Sequence, residues 1–279
     1  MTLLAAAAAL LLSQQHIRVT TSLVMVPVGV RDYRGRAVEN LTADNFELFD
    51  NNVKQKLVQC SLESGPRESV IVFDQSESMR ATLPLALQAV HAFVNSGAPG
   101  DRISVVTVRE SADVGVAPTE DGDQVIRHLG PSAAQGKTAL FDGVYLALQR
   151  IKETRPPQAA VLILTDGGDN SSRHGIDELQ SLALEAGAAI HSVVTGPAFP
   201  RSNEEQGQFA MKRLAEQTGG WFWEPKGHDD IRALIRRLQR DPHYVLAYAA
   251  PPGKDHQIKV KLKGRHGLRL TWRHSYSAD

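Results

Sequence analysis

The chain has 279 residues, with 31 Lys+Arg balanced by 31 Asp+Glu, and a single cysteine, Cys60. That length accommodates one α/β domain plus a smaller one, and the balanced charge gives no bulk attraction to nucleic acid or an anionic membrane. A lone cysteine excludes an intramolecular disulfide and a cysteine-based zinc site, and the ten histidines show no His-x-x-x-His spacing.

Met1 to Leu12 is an apolar, alanine-rich run, too short to span a bilayer and matching the hydrophobic region of a secretory signal peptide. Ser13 offers a small residue for cleavage. The usual positive residues before such a run are missing, so the natural start is expected upstream. His16 to Val30 is β-rich, and Asp32-Tyr-Arg-Gly35 supplies turn chemistry. Leu41 to Phe46 reads as a capped helical turn. Phe46–Asp50 and Val53–Cys60 read as strands around an Asn51-Asn52 turn, and residues 64–67 as a linker.

From Glu68 the pattern changes to alternating strands and helices, the signature of a parallel sheet with helices on both faces. Val70 to Phe73 is a continuous apolar run, the mark of a strand buried on both faces. Helical spacing follows over Pro84–Val94, then a strand over Asp101–Val108, a short strand over Val114–Ala117 and a short helix over Asp121–Leu129. Further on, Leu140–Ile151 and Ile176–Glu185 read as helices, Ala160–Leu164 and Ala189–Val194 as strands. Phe209–Gln217 reads as a helix stopping at Gly219, Trp221–Trp223 as the last strand of this set, and Ile231–Leu238 as its last helix. The tail returns to β over Tyr244–Ala249, Gln257–Lys263 and Leu268–Tyr276. Alternation in Ile258-Lys-Val-Lys-Leu-Lys263 predicts one buried face and one wet face.

The fold expected is therefore α/β, a doubly wound, mostly parallel sheet, with a small accessory β-sandwich built from the N- and C-terminal segments. The expected organisation is a signal peptide over 1–15, a β segment over 16–66, the α/β domain over 67–242 and a β segment over 243–279 packed with the first.

The residues with chemistry to offer stand at strand ends. Asp74, Ser76 and Ser78 place three oxygen side chains at alternate positions directly after Val70–Phe73. Asp166 ends the second buried run, and Thr138 follows Gly136 at the start of a helical pattern. Carboxylates and hydroxyls together suit a hard divalent cation. Each alone is better read as turn chemistry, since such side chains bond their local backbone; the ordered set of five points to a metal. Gly136-Lys137-Thr138 resembles the end of a phosphate-binding loop, but five residues separate Gly130 from Gly136 where that motif has four. Ser76 stands where a phosphatase with an aspartate nucleophile needs a second acid. No Gly-x-Ser-x-Gly or His-Glu-x-x-His occurs, so an enzyme is not expected.

In order and placement, Asp74-x-Ser76-x-Ser78, Thr138 and Asp166 resemble the metal-ion-dependent adhesion site of the von Willebrand factor type A domain, over roughly residues 67–241. Leu41–Asp50 and Tyr244–Tyr248 resemble flanking segments of a secreted bacterial subfamily related to that domain. The resemblance implies Mg²⁺, with Mn²⁺ or Ca²⁺ as alternatives, bound directly by Ser76, Ser78 and in one state Thr138, and through water by Asp74 and Asp166. It implies a protein partner whose acidic side chain completes the ion's coordination, at the cell envelope or outside the cell. It also implies a coupled displacement of the last helix. Glu77 departs from the small residue common at its place and reads as solvent-facing. Two other readings stay open: a regulatory or substrate-delivery subunit of an ATPase or protease complex, and Mg²⁺-assisted hydrolysis.

Overall fold

The computed structural model describes residues 23–277 except 35, 64–66, 96, 131–132, 157, 196–201, 226–229, 231–242 and 254. The apolar run at 1–12 and the helix expected over 231–238 lie outside these residues. In chain order the strands are β1 (Leu23–Arg31), β2 (Phe46–Asp50), β3 (Val53–Gln55), β4 (Leu57–Glu63) and β5 (Glu68–Asp74). Then come α1 (Leu83–Val94), β6 (Arg102–Val108), β7 (Ala112–Thr119), α2 (Gly122–Leu129), α3 (Leu140–Thr154) and β8 (Ala159–Thr165). The remainder are α4 (Ile176–Ala186), β9 (Ala189–Val194), α5 (Ser202–Thr218), β10 (Phe222–Trp223), β11 (His243–Ala249), β12 (Asp255–Leu262), β13 (Arg269–Trp272) and β14 (Ser275–Ser277).

The central sheet has six strands in the order β10-β9-β8-β5-β6-β7, parallel except for the antiparallel edge strand β7. All seven residues of β5 are buried, which explains its unbroken apolar run. Ile71 and Phe73 face α1 and α2 through Ala89, Val90, Phe93, Val125 and Leu129. Val70 and Val72 face α3, α4 and α5 through Val144, Leu148, Leu179 and Leu214. Each such fully buried side chain contributes about 1.5–3 kcal/mol, so the sheet is held from both faces. The chain runs from β5 to β6 and β7 on one side, then returns to β8 on the other. The ends of β5 and β8 thus flank the point where strand order reverses, the place where open α/β sheets form their binding crevice.

Strands from both ends of the described chain form two further sheets, β13-β1-β11-β4 and β14-β12-β2-β3. They share one core containing Val26, Val28, Leu48, Tyr244, Leu246, Ile258 and Val260. The alternation in β12 is as read, with Ile258 and Val260 buried and Lys259 and Lys261 exposed. The Asn51-Asn52 turn has both residues at positive φ, 47° and 64°, the twist a two-residue hairpin needs.

Two expected strands are each divided. Val53–Cys60 breaks at Lys56 into β3 and β4, and Leu268–Tyr276 breaks at Arg273-His274 into β13 and β14. In both cases the halves lie in opposite sheets. The corner at His274 is held by tertiary bonds: its N–H donates to Gln217 O at 3.1 Å, and its carbonyl accepts from Ile258 N at 2.7 Å.

The sandwich docks on the end of the central sheet where its strands begin. Arg273 Nη2 donates to the Leu184 carbonyl of α4, and the Arg31 guanidinium lies 5.1 Å from the Trp221 ring centroid. At this joint Trp221 N donates to His191 Nδ1 at 3.2 Å. Burial, with Arg67, Arg31 and His243 adding, pushes His191 down to about 3; burial and Arg67 push His243 down to about 4. An unfolded histidine titrates near 6.5, so between about 6.5 and 4 the unfolded chain binds more protons. The stability from keeping these rings neutral is complete above 6.5 and is lost as pH falls, on the order of 1 kcal/mol per unit and per histidine. Urea midpoints from pH 7.5 to 4.5 are expected to fall, and His191→Gln is expected to flatten the profile; an unchanged slope in the variant would remove the assignment.

No helix among the described residues is long and apolar enough to cross a membrane.

Candidate metal centre at the carboxyl ends of two parallel strands

Because β5 and β8 pair in parallel register, with Phe73 opposite Leu164, the residues that leave them, Asp74 and Thr165-Asp166, emerge side by side. Asp74 is fully buried and Asp166 is 2% exposed. Asp74 Oδ2 accepts from Thr165 Oγ1 at 2.7 Å and Oδ1 from Ser76 N at 2.9 Å. Asp166 Oδ1 accepts from Gly168 N at 2.9 Å. Burial pushes the Asp74 carboxyl up to about 7, and the neighbouring Asp166 adds to that, against the bonds from Ser76 and Thr165.

Ser76 and Ser78 follow in the bend after β5, and their Oγ atoms lie 3.1 Å apart. Glu77 between them points outward, 3.2 Å from Arg80 Nη2 and largely exposed, as read. The loop carrying Thr138 is tied to the same bend, since Glu77 N donates to the Gly136 carbonyl at 3.1 Å and Gln135 N to the Gln75 carbonyl at 2.9 Å. Gly136 sits at φ +79°, a conformation that strains any residue with a Cβ. Thr138 is 2% exposed. Its N–H donates to Asn170 Oδ1 at 2.9 Å, and its carbonyl accepts from Asn170 N and Ser171 N. All five residues singled out in the sequence therefore sit on three loops that contact one another at one end of the sheet.

Sequence reasoning missed the residues that hold these loops. Thr165 reads as one more strand position, yet its hydroxyl bonds Asp74. Asn170 carries the Thr138 backbone, and Asp169 Oδ2 accepts from Phe141 N at 2.9 Å, capping the start of α3 from another loop. The clue was their place directly around Asp166. Gly143 has a packing role instead of the loop flexibility its size suggests: a Cβ there would meet Val108 Cγ2 at 2.3 Å, so α3 lies close on the sheet.

Among the described residues neither Asp74 nor Asp166 forms a salt bridge, and no group of three or more His, Cys, Asp or Glu is placed to hold a metal. A metal would have to be held by these carboxylates together with hydroxyls. Two buried acids beside neutral oxygens fit a hard cation: they leave uncompensated negative charge, and every donor is oxygen.

Residues 69–168 match the family model described as the von Willebrand factor type A domain. The chain carries a von Willebrand factor type A domain. Among similar solved structures is a von Willebrand factor type A protein from Catenulispora acidiphila, with TM-score 0.53 and 14% identity, covering 93% of this chain and 74% of that one. The likeness thus extends past the α/β sheet, and it concerns the fold. Proximal thread matrix protein 1 of the mussel byssus, solved with a zinc-occupied MIDAS motif, matches at TM-score 0.54 and 20% identity over 69% of this chain and 50% of that one. A UPF0353 protein of Mycolicibacterium paratuberculosis is 25% identical over 214 residues, 66% of this chain and 62% of that protein. The chain spans 60–62% of the length of such relatives. At this level the chain is a type A domain by its family match and its fold.

Proposed function

We propose that this domain is an exported, adhesion-type protein-binding module whose Mg²⁺ ion, held by Asp74, Ser76, Ser78, Thr138 and Asp166, bridges to a carboxylate of a partner protein. The pair of buried carboxylates at the ends of adjacent strands, neither salt-bridged among the described residues, carries this reading. When bound, the ion supplies an electrophilic centre for an acidic side chain. Ser76, Ser78 and Thr138 are neutral donors and so leave more of its charge uncancelled than acids would. Thr165 and Ser76 N orient Asp74, Gly168 N orients Asp166, and Asn170 fixes the backbone that presents Thr138. The apolar run at Met1–Leu12 supports export.

Calorimetry with Mg²⁺ or Mn²⁺ tests the ion site. The wild type is expected to bind one ion and Asp74→Ala none; equal binding by both would end the assignment. Thr138→Ala separates an adhesion site from a structural ion. Losing one neutral donor of five is expected to weaken the ion about 2- to 10-fold, while capture of partner from an envelope fraction falls to the level seen in EDTA. A mutant that captures partner as well as wild type would make the ion a structural staple.

A further inference from the structure

On the other side of Asp74 from Asp166 lies a polar cavity of about 200 Å³, lined by Gln75, Thr107, Arg109, Ser111, Asp113 and His128. It is smaller than a drug-sized pocket and suits one polar side chain or a small molecule. Gln75 is 2% exposed. Its Oε1 accepts from Arg109 Nη2 at 2.8 Å, which fixes the amide orientation, because a guanidinium only donates. The amide nitrogen is then a donor, and among the described residues Gln75 Nε2 has no hydrogen-bond partner; Arg109 Nε is likewise buried and unpartnered among them. Among the described residues Arg109 forms no salt bridge. Buried donors are nearly always satisfied in folded proteins, so two such groups beside one cavity call for an acceptor. On β7, Gly115 leaves room for the His128 ring, whose Nε2 lies 2.2 Å from where a Cβ would be, and this closes one wall. Asp113 is exposed and accepts from Ser111 Oγ at 3.0 Å, placing a negative charge at the rim.

We propose that this cavity is a metal-independent carboxylate subsite, read by Gln75 Nε2 and the Arg109 guanidinium. A guanidinium bonded only to a neutral amide can still form a charge-assisted contact, and a carboxylate accepts from both unpartnered nitrogens at once. The subsite is built into the metal loops. Gln75 lies between Asp74 and Ser76, and the Arg109 carbonyl accepts from Ala139 N, next to Thr138, at 2.7 Å. One acidic segment could therefore place one carboxylate at the metal and a second here, a pairing that rests on the function proposed above. The subsite itself does not rest on it, and a free small dicarboxylate offers the same chemistry.

The test is titration of the full chain in EDTA with succinate and with acetyl-Glu-Gly-Glu-amide, followed by calorimetry and amide NMR shifts. Both probes are expected to bind without metal, with the shifts centred on Gln75 and Arg109. Gln75→Glu conserves shape but gives Arg109 a carboxylate of its own, and it is expected to weaken succinate about tenfold or more. Arg109→Met is expected to do the same, and Asp113→Asn to tighten binding about two- to fivefold. Because these titrations are run in EDTA, loss of the metal site and loss of this subsite read out separately. A gain for the peptide and not for succinate on adding Mg²⁺ identifies a protein segment as the source. Equal behaviour of the two identifies a free carboxylate. Failure of both probes to bind in EDTA, or binding unmoved by Gln75→Glu and Arg109→Met, would overturn the proposal.

Discussion

Asp50→Ala is expected to cost about 3–5 kcal/mol and to unfold the sandwich at urea concentrations the wild type tolerates. Asp50, 1% exposed at the end of β2, accepts from Tyr248 Oη at 2.7 Å and from Tyr276 Oη at 3.2 Å. His256 Nδ1 lies 2.9 and 3.0 Å from its two oxygens, and the His256 ring stacks on Tyr276 with centroids 4.3 Å apart. Tyr248 comes from one sheet and the other three residues from its partner sheet, so this carboxylate joins the two layers at their centre. Truncation leaves three buried polar groups without an acceptor in a core otherwise made of aliphatic and aromatic side chains. Set against a total stability of about 5–15 kcal/mol for a domain, that is a large share. Asp50→Asn keeps the shape and one acceptor oxygen and is expected to lose less. The midpoint of urea unfolding, followed by tyrosine fluorescence, checks both. A loss under about 1 kcal/mol for the alanine would mean that water or repacking replaces the carboxylate.

Gly207→Ala is the second large effect, and it tests how the metal centre is supported. Gly207 lies inside α5, where alanine normally gains roughly 1 kcal/mol of helix propensity. Here sterics win. The added Cβ would stand 1.8 Å from the Gly167 carbonyl oxygen, backbone against backbone, and Gly167 itself is at φ +94°. Next to it, Gln208 Nε2 donates to the Asp166 carbonyl at 3.1 Å. The helix or the loop after Asp166 must move, at a net cost of about 1–3 kcal/mol. If the proposed Mg²⁺ site holds, its affinity is expected to fall about tenfold, because the displaced loop carries Asp166. Gly175→Ala is the control: a Cβ there meets nothing within 4 Å. Melting temperature and Mg²⁺ calorimetry on the two variants decide the matter; equal values would show that the loop is indifferent to α5.

Much of this was legible because burial on both faces writes itself into sequence. β5 and β8 could be read from continuous β-branched runs, and Asp74 and Asp166 stood out as members of an ordered set with Ser76, Ser78 and Thr138. The left-handed Gly219 after α5, at φ +76°, was equally visible, whereas the edge placement of β7 came from the family resemblance. The two strand breaks were not. Lys56 and Arg273-His274 interrupt no alternation, and only the partner sheet on either side reveals that the chain has turned a corner. Thr165, Asn170, Gln75 and Arg109 were illegible for a related reason. Their hydrogen bonds reach 34, 32 or 91 residues along the chain, beyond any local pattern. Gln75 in particular reads as a spacer between two more eloquent neighbours.

The pairing of Glu63 with His243 on adjacent strands bears on the order in which this protein can fold as it is made. Among the described residues, and apart from a single Arg31–Ala37 bridge, β1 and β4 pair with β11 and β13, so nothing synthesised before residue 243 can complete their ladders. At about 5–20 residues per second, the ribosome needs roughly 10–40 s to pass from one side of that pair to the other. During that interval the nascent N-terminal strands present bare edges, the usual template for association between chains, while the α/β domain collapses behind them. Its folding then shortens the remaining search, because it fixes the points where the chain leaves and re-enters the sandwich before β11 arrives.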